Sequence, residues 1–258
     1  MHVPIVTRRE PAINIPAFLV AWIGLLVVIH AVRTLVLSDD TDLRLLLETA
    51  FIPAPWSVAS GYASGEAVIH AAAAAQGGAP AELRIALARY FAAETPRLWS
   101  PLSYAFLHGS WTHLGLNCLW LVAFGTSVVR RAGTSRSVIL GVAAALGGAL
   151  AQWLSSPLGT EIVIGASASV SGFMAAAATF MYARPGDGRW AFLANRGALI
   201  FIGVWLVANL IFGFIAVPLG MSDGDVAWQA HIGGLVVGLL LFPLLDPFHR
   251  EPSRAFGS

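Results

Sequence analysis

The sequence predicts an all-α integral membrane protein with six membrane-spanning helices. Of its 258 residues, 57% are hydrophobic and only 11% are charged, whereas a soluble globular domain carries about 25% charged residues. Six apolar stretches recur along the chain, and the arginines cluster at alternate connections between them. Together these three observations exclude an ordinary soluble domain and predict a bundle of membrane helices.

Each predicted span has roughly the twenty residues needed to cross a hydrocarbon core of about 30 Å. The six spans are residues 15–37, 111–129, 138–154, 164–181, 198–217 and 226–245. The first follows Arg8 and Arg9, as a signal peptide would, but its length and the lack of a clear cleavage site predict an uncleaved span. The sequence thus divides into an N-terminal segment (1–14), a membrane domain (15–245) and a short tail (246–258).

A long segment, residues 38–107, separates the first two predicted spans. It contains an alanine run, a Gly-Gly-Ala-Pro break at 77–80 and an amphipathic stretch at 81–91. This pattern predicts helices that lie in the membrane interface. The sequence leaves open whether the segment is a regulatory lid, a substrate contact or a stabilising collar.

The arginines predict the orientation, because short cytoplasmic loops collect positive charge. Arginines precede span one, join spans two and three, join spans four and five, and follow span six. The alternate short loops carry Glu161, Asp223 and Asp225 and no arginine. Both termini are therefore predicted to be cytoplasmic, with segment 38–107 outside.

Several other classes of function receive no support from composition. The formal net charge is +1, and no basic stripe with interleaved aromatics predicts nucleic-acid binding. Three histidines could ligate zinc, but no His-Glu-x-x-His occurs and the spans lack carboxylates, which argues against a metal site or a transporter. No metal or cofactor is predicted, Cys118 has no partner for an internal disulfide, and the oligomeric state is left open.

Polar side chains gather at one predicted depth in the membrane. Under the predicted topology, spans two, four and six all enter from the outer side, so their first turns lie in one shallow layer. If helical, Ser167 lies about 9 Å inward of Glu161, and His231 lies as far inward of Asp225. The layer contains four polar side chains: His113, Asn117, Ser167 and His231. Ionisable residues inside a span are costly and indicate a functional site.

These residue types match nucleophilic catalysis. A serine hydroxyl needs a base to take its proton, so Ser167 and His231 form a candidate nucleophile and general base. His113, Asn117 and the Ser167 backbone N–H offer donors for an oxyanion. No third residue that would orient the imidazole is apparent, because the nearby acids lie in loops. The alternative is that the hydroxyls only form a small-residue packing face, and this is the preferred role for Ser169 and Ser171.

The ordered motifs resemble those of the rhomboid intramembrane serine proteases, over roughly residues 98–245. The motifs are Gly165-Ala166-Ser167, Ala230-His231-Ile232-Gly233-Gly234 with Gly238, His113-x-x-x-Asn117, and the upstream His108. The resemblance implies a six-helix rhomboid-like bundle in which Ser167 and His231 form a catalytic dyad without an acid. It also implies that His113 and Asn117 assist the oxyanion hole. Gly234 and Gly238, a small-xxx-small pair, would let span six lie close to span four.

Three positions depart from the family pattern. The residue after the nucleophile is Ala168 rather than glycine, which predicts reduced activity if the backbone must approach closely there. Ser171 stands where many members have an aromatic that packs on the catalytic histidine, so His231 is expected to be held less firmly. The family's Trp-Arg pair reads Trp99-Ser100, with Arg97 nearby.

The resulting functional hypothesis is an intramembrane serine endopeptidase. It would cleave transmembrane proteins near the outer face of a bacterial cytoplasmic membrane, with residues 218–225 as a lid. Its partners would be the lipid bilayer and transmembrane protein substrates. The alternative is a catalytically weak or inactive relative that binds transmembrane clients without cutting them.

Overall fold

A computed structural model describes residues 14–75, 79–184, 186–215 and 227–249 of the chain. Every regular element in these ranges is helical, and one isolated antiparallel bridge joins Phe51 to Val163. In chain order the helices are α1 (Ala17–Leu35), α2 (Asp39–Thr49), α3 (Pro53–Ala59), α4 (Gly65–Ala74), α5 (Ala81–Ala93), α6 (Ser100–Ser103), α7 (Trp111–Trp120), α8 (Thr126–Ala132), α9 (Thr134–Ser155), α10 (Ser167–Met181), α11 (Arg196–Ile215) and α12 (Trp228–Leu245). A π-helical turn, Leu121–Gly125, makes α7 and α8 one continuous helix. The predicted all-α class is confirmed for the described residues.

Four of the described helices are long and apolar enough to cross a membrane: α1, Trp111–Ala132, α9 and α12. Two shorter apolar helices, Ser167–Met181 and Arg196–Ile211, coincide with the predicted fourth and fifth spans. Each of the six predicted stretches therefore contains an apolar helix among the described residues, and four of these helices are long enough to cross a membrane.

The start of α10 differs from the sequence prediction. The fourth span was expected to be helical from residue 164, but α10 begins at Ser167. Gly165 has a φ of 130°, a backbone conformation that side-chain-bearing residues rarely adopt and that ends helical geometry. Since Glu161 lies before this break, the 9 Å depth assumed between Glu161 and Ser167 does not apply.

Helix α10 occupies the centre of the membrane domain. Its residues from Ala168 to Thr179 are all buried, mainly between α9 and α12. Small side chains allow this close approach: a Cβ added at Gly234 would collide with the carbonyl oxygen of Ala168, and one at Gly238 with that of Gly172. Because lipid tails are as apolar as the side chains, close van der Waals packing of this kind holds membrane helices together.

The described residues of segment 38–107 fold into five short helices, α2 to α6. Its interior is formed by five buried residues: Ile52, Ala54, Val68, Ala88 and Phe91. Its backbone pairs with the connection between α9 and α10, where Phe51 and Val163 exchange two hydrogen bonds of 3.1 and 2.9 Å. The Ser57 hydroxyl donates to the Pro157 carbonyl oxygen at 2.6 Å. The segment therefore holds the chain that leads into α10.

Two predicted features lie outside the described residues. The predicted lid at 218–225 is one, and most of the predicted terminal segments, residues 1–13 and 250–258, are the other. Both remain sequence predictions.

Candidate active site

Ser167 is the first residue of α10. Its side chain is partly exposed, whereas the residues that follow it, 168–179, are all buried. Two residues earlier, the Gly165 N–H donates to the Tyr104 carbonyl oxygen at 3.0 Å. This bond ties the turn to the chain just before α7. Ser167 therefore lies at a helix N-terminus, where backbone N–H groups lack helical partners and can face an anionic group.

The His113 ring lies over the same turn. A Cβ built at Gly165 would come 2.9 Å from His113 Nε2 and 3.5 Å from Ser167 Oγ. The imidazole and the hydroxyl thus face one small volume, which is open because residue 165 has no side chain. The structure brings these two predicted site residues together.

His108 contacts the turn at residues 165–167 that leads into α10. Its Nε2 accepts a hydrogen bond from the Ala166 N–H at 3.4 Å, and its ring packs edge-on against His113 with centroids 5.1 Å apart. Burial lowers the pKa of His108 to about 3, so the ring is neutral at physiological pH and its nitrogen is free to accept. His108 is therefore a supporting residue of the turn that carries Ser167.

Asn117 lies one helical turn after His113 on the same face of α7, as the spacing predicts. It is 5% exposed, and its Nδ2 donates to the His113 carbonyl oxygen at 3.0 Å. One amide hydrogen is therefore used within the helix, which leaves the other available to a bound group.

His231 lies on α12, one turn before the contact with α10. Gly234 packs against the backbone of Ala168, which places His231 beside the start of α10. Ser167 and His231 make no direct hydrogen bond in the described structure. Catalytic hydrogen bonds are often long or poorly aligned in unliganded structures and tighten when substrate binds.

The His231 ring has a partner that the sequence analysis missed. Its Nδ1 lies 2.5 Å from Oδ1 of Asn209, a buried residue of α11. The available signal was an amide within an otherwise apolar span, which is costly unless it is bonded. Asn209 is uncharged and lies in a different predicted span from His231, so the pattern of acidic residues does not indicate it.

The comparisons with known proteins cover this part of the chain. A family model described as Rhomboid domain matches residues 95–247. The chain belongs to the rhomboid family. The resemblance inferred from the sequence motifs is thereby confirmed, and a rhomboid with these apolar helices is an integral membrane protein.

Named relatives are bacterial. The rhomboid protease GlpG of Serratia proteamaculans is 32% identical over 154 residues, which are 60% of this chain and 50% of the relative. The rhomboid protease GlpG of Yersinia pestis is 28% identical over 152 residues, which are 59% of this chain and 50% of the relative. An uncharacterized protein of Mycobacterium bovis is 30% identical over 165 residues, which are 61% of this chain and 63% of the relative. The rhomboid chain spans about half the length of its GlpG relatives.

The structure gives a local explanation for Ala168, the residue that follows Ser167 in this rhomboid. The Ala168 methyl points toward Gly148 of α9, where an added Cβ would come within 2.5 Å. The Ser169 hydroxyl donates to the Gly141 carbonyl oxygen at 2.8 Å and so links α10 to α9. The Ser171 hydroxyl is buried and has no hydrogen-bond partner among the described residues.

Arg97 and Trp99 form a structural link within segment 38–107. Arg97 binds both carboxylate oxygens of Glu48, at 2.6 and 2.7 Å. The Trp99 indole N–H donates to the Glu48 carbonyl oxygen at 2.7 Å. In this rhomboid, Arg97 and Trp99 therefore fix the end of α2 to the chain before α6.

Proposed function

We propose that this rhomboid is an intramembrane serine endopeptidase in which Ser167 is the nucleophile and His231 the general base. One observation carries the proposal. Ser167 is partly exposed at the N-terminus of an otherwise buried helix, and His113 faces the same volume across Gly165. A reactive hydroxyl with oxyanion donors beside it is the arrangement that acyl transfer requires.

The mechanism starts when Ser167 Oγ attacks the carbonyl carbon of the scissile peptide and its proton passes to His231 Nε2. The resulting oxyanion accepts hydrogen bonds from the Ser167 N–H and from the side chains of His113 and Asn117. His231 then gives the proton to the leaving amine. Water, deprotonated by His231, attacks the acyl-enzyme and regenerates the Ser167 hydroxyl.

The substrates we propose are transmembrane proteins, in keeping with the membrane location of the site. A stable helix protects its own peptide bonds, so the cleaved segment must unwind before it reaches Ser167. We expect small or helix-breaking residues around the cleavage site. The proposed setting is a bacterial inner membrane, with six spans, both termini cytoplasmic and segment 38–107 on the outer side.

Labelling with a fluorophosphonate serine probe tests the nucleophile directly. The purified wild type should label, whereas Ser167→Ala and His231→Ala should reduce the labelling rate by about 100-fold or more. Ser171→Ala is the matched control, because it removes a hydroxyl one turn away in the same helix, and it should label like the wild type. Equal labelling of Ser167→Ala and wild type would remove Ser167 from the mechanism.

A second measurement separates a protease from a relative that only binds clients. Wild type and Ser167→Ala are reconstituted in liposomes with a single-span reporter that has small residues near its outer end. The protease should cut the reporter only with Ser167 present. A folded wild type that neither labels nor cuts would favour the client-binding alternative.

A further inference from the structure

The contact between His231 and Asn209 joins two helices across 22 residues of sequence. Asn209 is 8% exposed and lies in an apolar stretch of α11, where an amide without partners would be costly. Its Oδ1 is 2.5 Å from His231 Nδ1. The same Asn209 amide makes a second bond, in which Nδ2 donates to the Trp205 carbonyl oxygen at 2.9 Å.

The second bond fixes the direction of the first. Because Asn209 donates through Nδ2 to a carbonyl, its Oδ1 is the atom that faces His231. An amide oxygen can only accept, so the hydrogen must be on His231 Nδ1. In the neutral ring this leaves the Nε2 lone pair free, and Nε2 is the atom that a general base uses toward a serine hydroxyl.

We propose that Asn209 is the positioning residue of His231, so that Ser167, His231 and Asn209 act together as a Ser-His-Asn triad. This inference rests on the proposed protease function. Asn209 selects the productive tautomer, holds the ring plane, and stabilises the imidazolium that forms when His231 takes the proton. It acts through His231 and does not touch the reacting atoms.

The chemistry of the site explains why this residue is an amide. A carboxylate would orient the imidazole equally well, but a charge inside the apolar helices would carry a large desolvation cost. Asn209 also supplies a support that the family resemblance leaves missing, since Ser171 stands where many members have an aromatic that packs on the histidine. A hydrogen bond from α11 takes the place of that aromatic contact from α10.

A purely structural role for Asn209 is the competing interpretation, because polar side chains often link membrane helices. The two roles differ in what they predict when the amide is removed. A structural link predicts lower stability with the labelling rate of the folded protein unchanged, whereas the positioning role predicts slower labelling and loss of the Nδ1-protonated ring.

The direct test is ¹⁵N NMR of the histidine rings in full-length protein in detergent, with the His231 signal assigned by its loss in His231→Gln. The wild type should show His231 protonated at Nδ1 and unprotonated at Nε2 at neutral pH. A wild-type ring protonated at Nε2 overturns the proposal without any further variant. This readout does not depend on catalytic activity.

The kinetic arm uses Asn209→Ala, Asn209→Asp and the control Val207→Ala, which changes an exposed position of the same helix. The fluorophosphonate labelling rate should fall roughly 10-fold or more in Asn209→Ala, with the Nδ1-protonated signal lost. Asn209→Asp keeps an acceptor and should retain more labelling than Asn209→Ala, while Val207→Ala should match the wild type.

Labelling of folded Asn209→Ala within about two-fold of the wild type would overturn the positioning role. If Asn209→Ala does not fold, the comparison of Asn209→Asp with wild type and the wild-type ring spectrum still decide the question. A folded wild type that never labels would defeat the proposed protease instead, and the spectrum would still show whether Asn209 sets the tautomer.

Discussion

At the scale of single residues, Ala168 departs from the family pattern, and a glycine on a neighbouring helix leaves space for its methyl group. Its methyl is 1% exposed and faces Gly148 of α9 rather than the volume shared by Ser167 and His113. The extra carbon therefore occupies space that a glycine on the adjacent helix leaves free. This packing argues against reduced activity from Ala168, and the expectation stays a sequence prediction until activity is measured.

Replacing this residue with the family's glycine tests the argument. Ala168→Gly should leave the fluorophosphonate labelling rate within about two-fold of the wild type. It should lower the free energy of unfolding by about 1 kcal/mol, because glycine in a helix costs that much relative to alanine. Ala176→Gly, two turns further along α10, is the control for the backbone effect. A tenfold gain in labelling for Ala168→Gly alone would show instead that the methyl restricts the site.

At the scale of elements, the contact between α10 and α12 places the proposed base beside the proposed nucleophile. Gly234 and Gly238 face the backbone of α10, so the two helix axes approach more closely than side chains would allow. The atoms opposite these glycines are mostly main-chain atoms of a buried helix, which cannot rotate away as a flexible side chain would.

A larger side chain in this contact should separate the helices. Gly238→Leu should destabilise the protein by about 3 kcal/mol or more, since overpacking against backbone leaves no low-strain rotamer. It should also slow labelling of Ser167, although residue 238 lies two turns from His231. Val236→Leu, at an exposed position of the same helix, should change neither quantity. Thermal unfolding in detergent and probe labelling report the two effects, and a Gly238→Leu protein as stable as Val236→Leu would contradict the packing argument.

At the scale of the whole molecule, segment 38–107 and the long apolar helices form one structure. Arg33 of α1 binds Asp42 of α2 at 2.6 Å and donates to the His108 carbonyl oxygen at 3.0 Å. The bridge between Phe51 and Val163 then fixes the approach to α10. Of the three roles left open for segment 38–107, these contacts favour the stabilising collar.

The ion pair between Arg97 and Glu48 makes part of this stability depend on pH. The hydrogen bond from Arg97 holds the pKa of Glu48 below its ordinary value of 4.5. A carboxylate with a lowered pKa in the folded state stabilises the protein above the ordinary pKa, and that contribution is lost as the pH falls through the folded-state value. Because half of the Glu48 side chain is exposed, solvent screening keeps the contribution small.

Thermal unfolding of wild type and Glu48→Gln should therefore converge as the pH is lowered from about 6 to about 3. The wild type should have the higher midpoint at pH 6, and added salt should narrow the difference. Glu66→Gln is the control, because it removes a carboxylate from α4 in the same segment without breaking this pair. A difference between wild type and Glu48→Gln that grows toward pH 3 would contradict the assigned role.

The features that depend on local pattern could be predicted from the sequence. Apolar length identifies a membrane protein and locates its helices, because a span must satisfy its own backbone hydrogen bonds. The motifs around Ser167, His231 and the pair His113 and Asn117 identify the family and the candidate site, because their spacing along the chain is itself the signal. The confirmed family and all-α class required nothing beyond this local information.

The contacts between side chains of different helices became visible in the folded structure and could not be predicted from the sequence. Asn209 contacts His231, and Gly148 makes room for Ala168, through the rotation and depth of separate helices, which hydropathy does not encode. Helix α10 begins at Ser167, later than predicted, because Gly165 adopts a positive φ and its N–H donates to the Tyr104 carbonyl oxygen. Such contacts depend on where distant parts of the chain lie in space, so the immediate surroundings of the proposed nucleophile and base emerge only from the folded molecule.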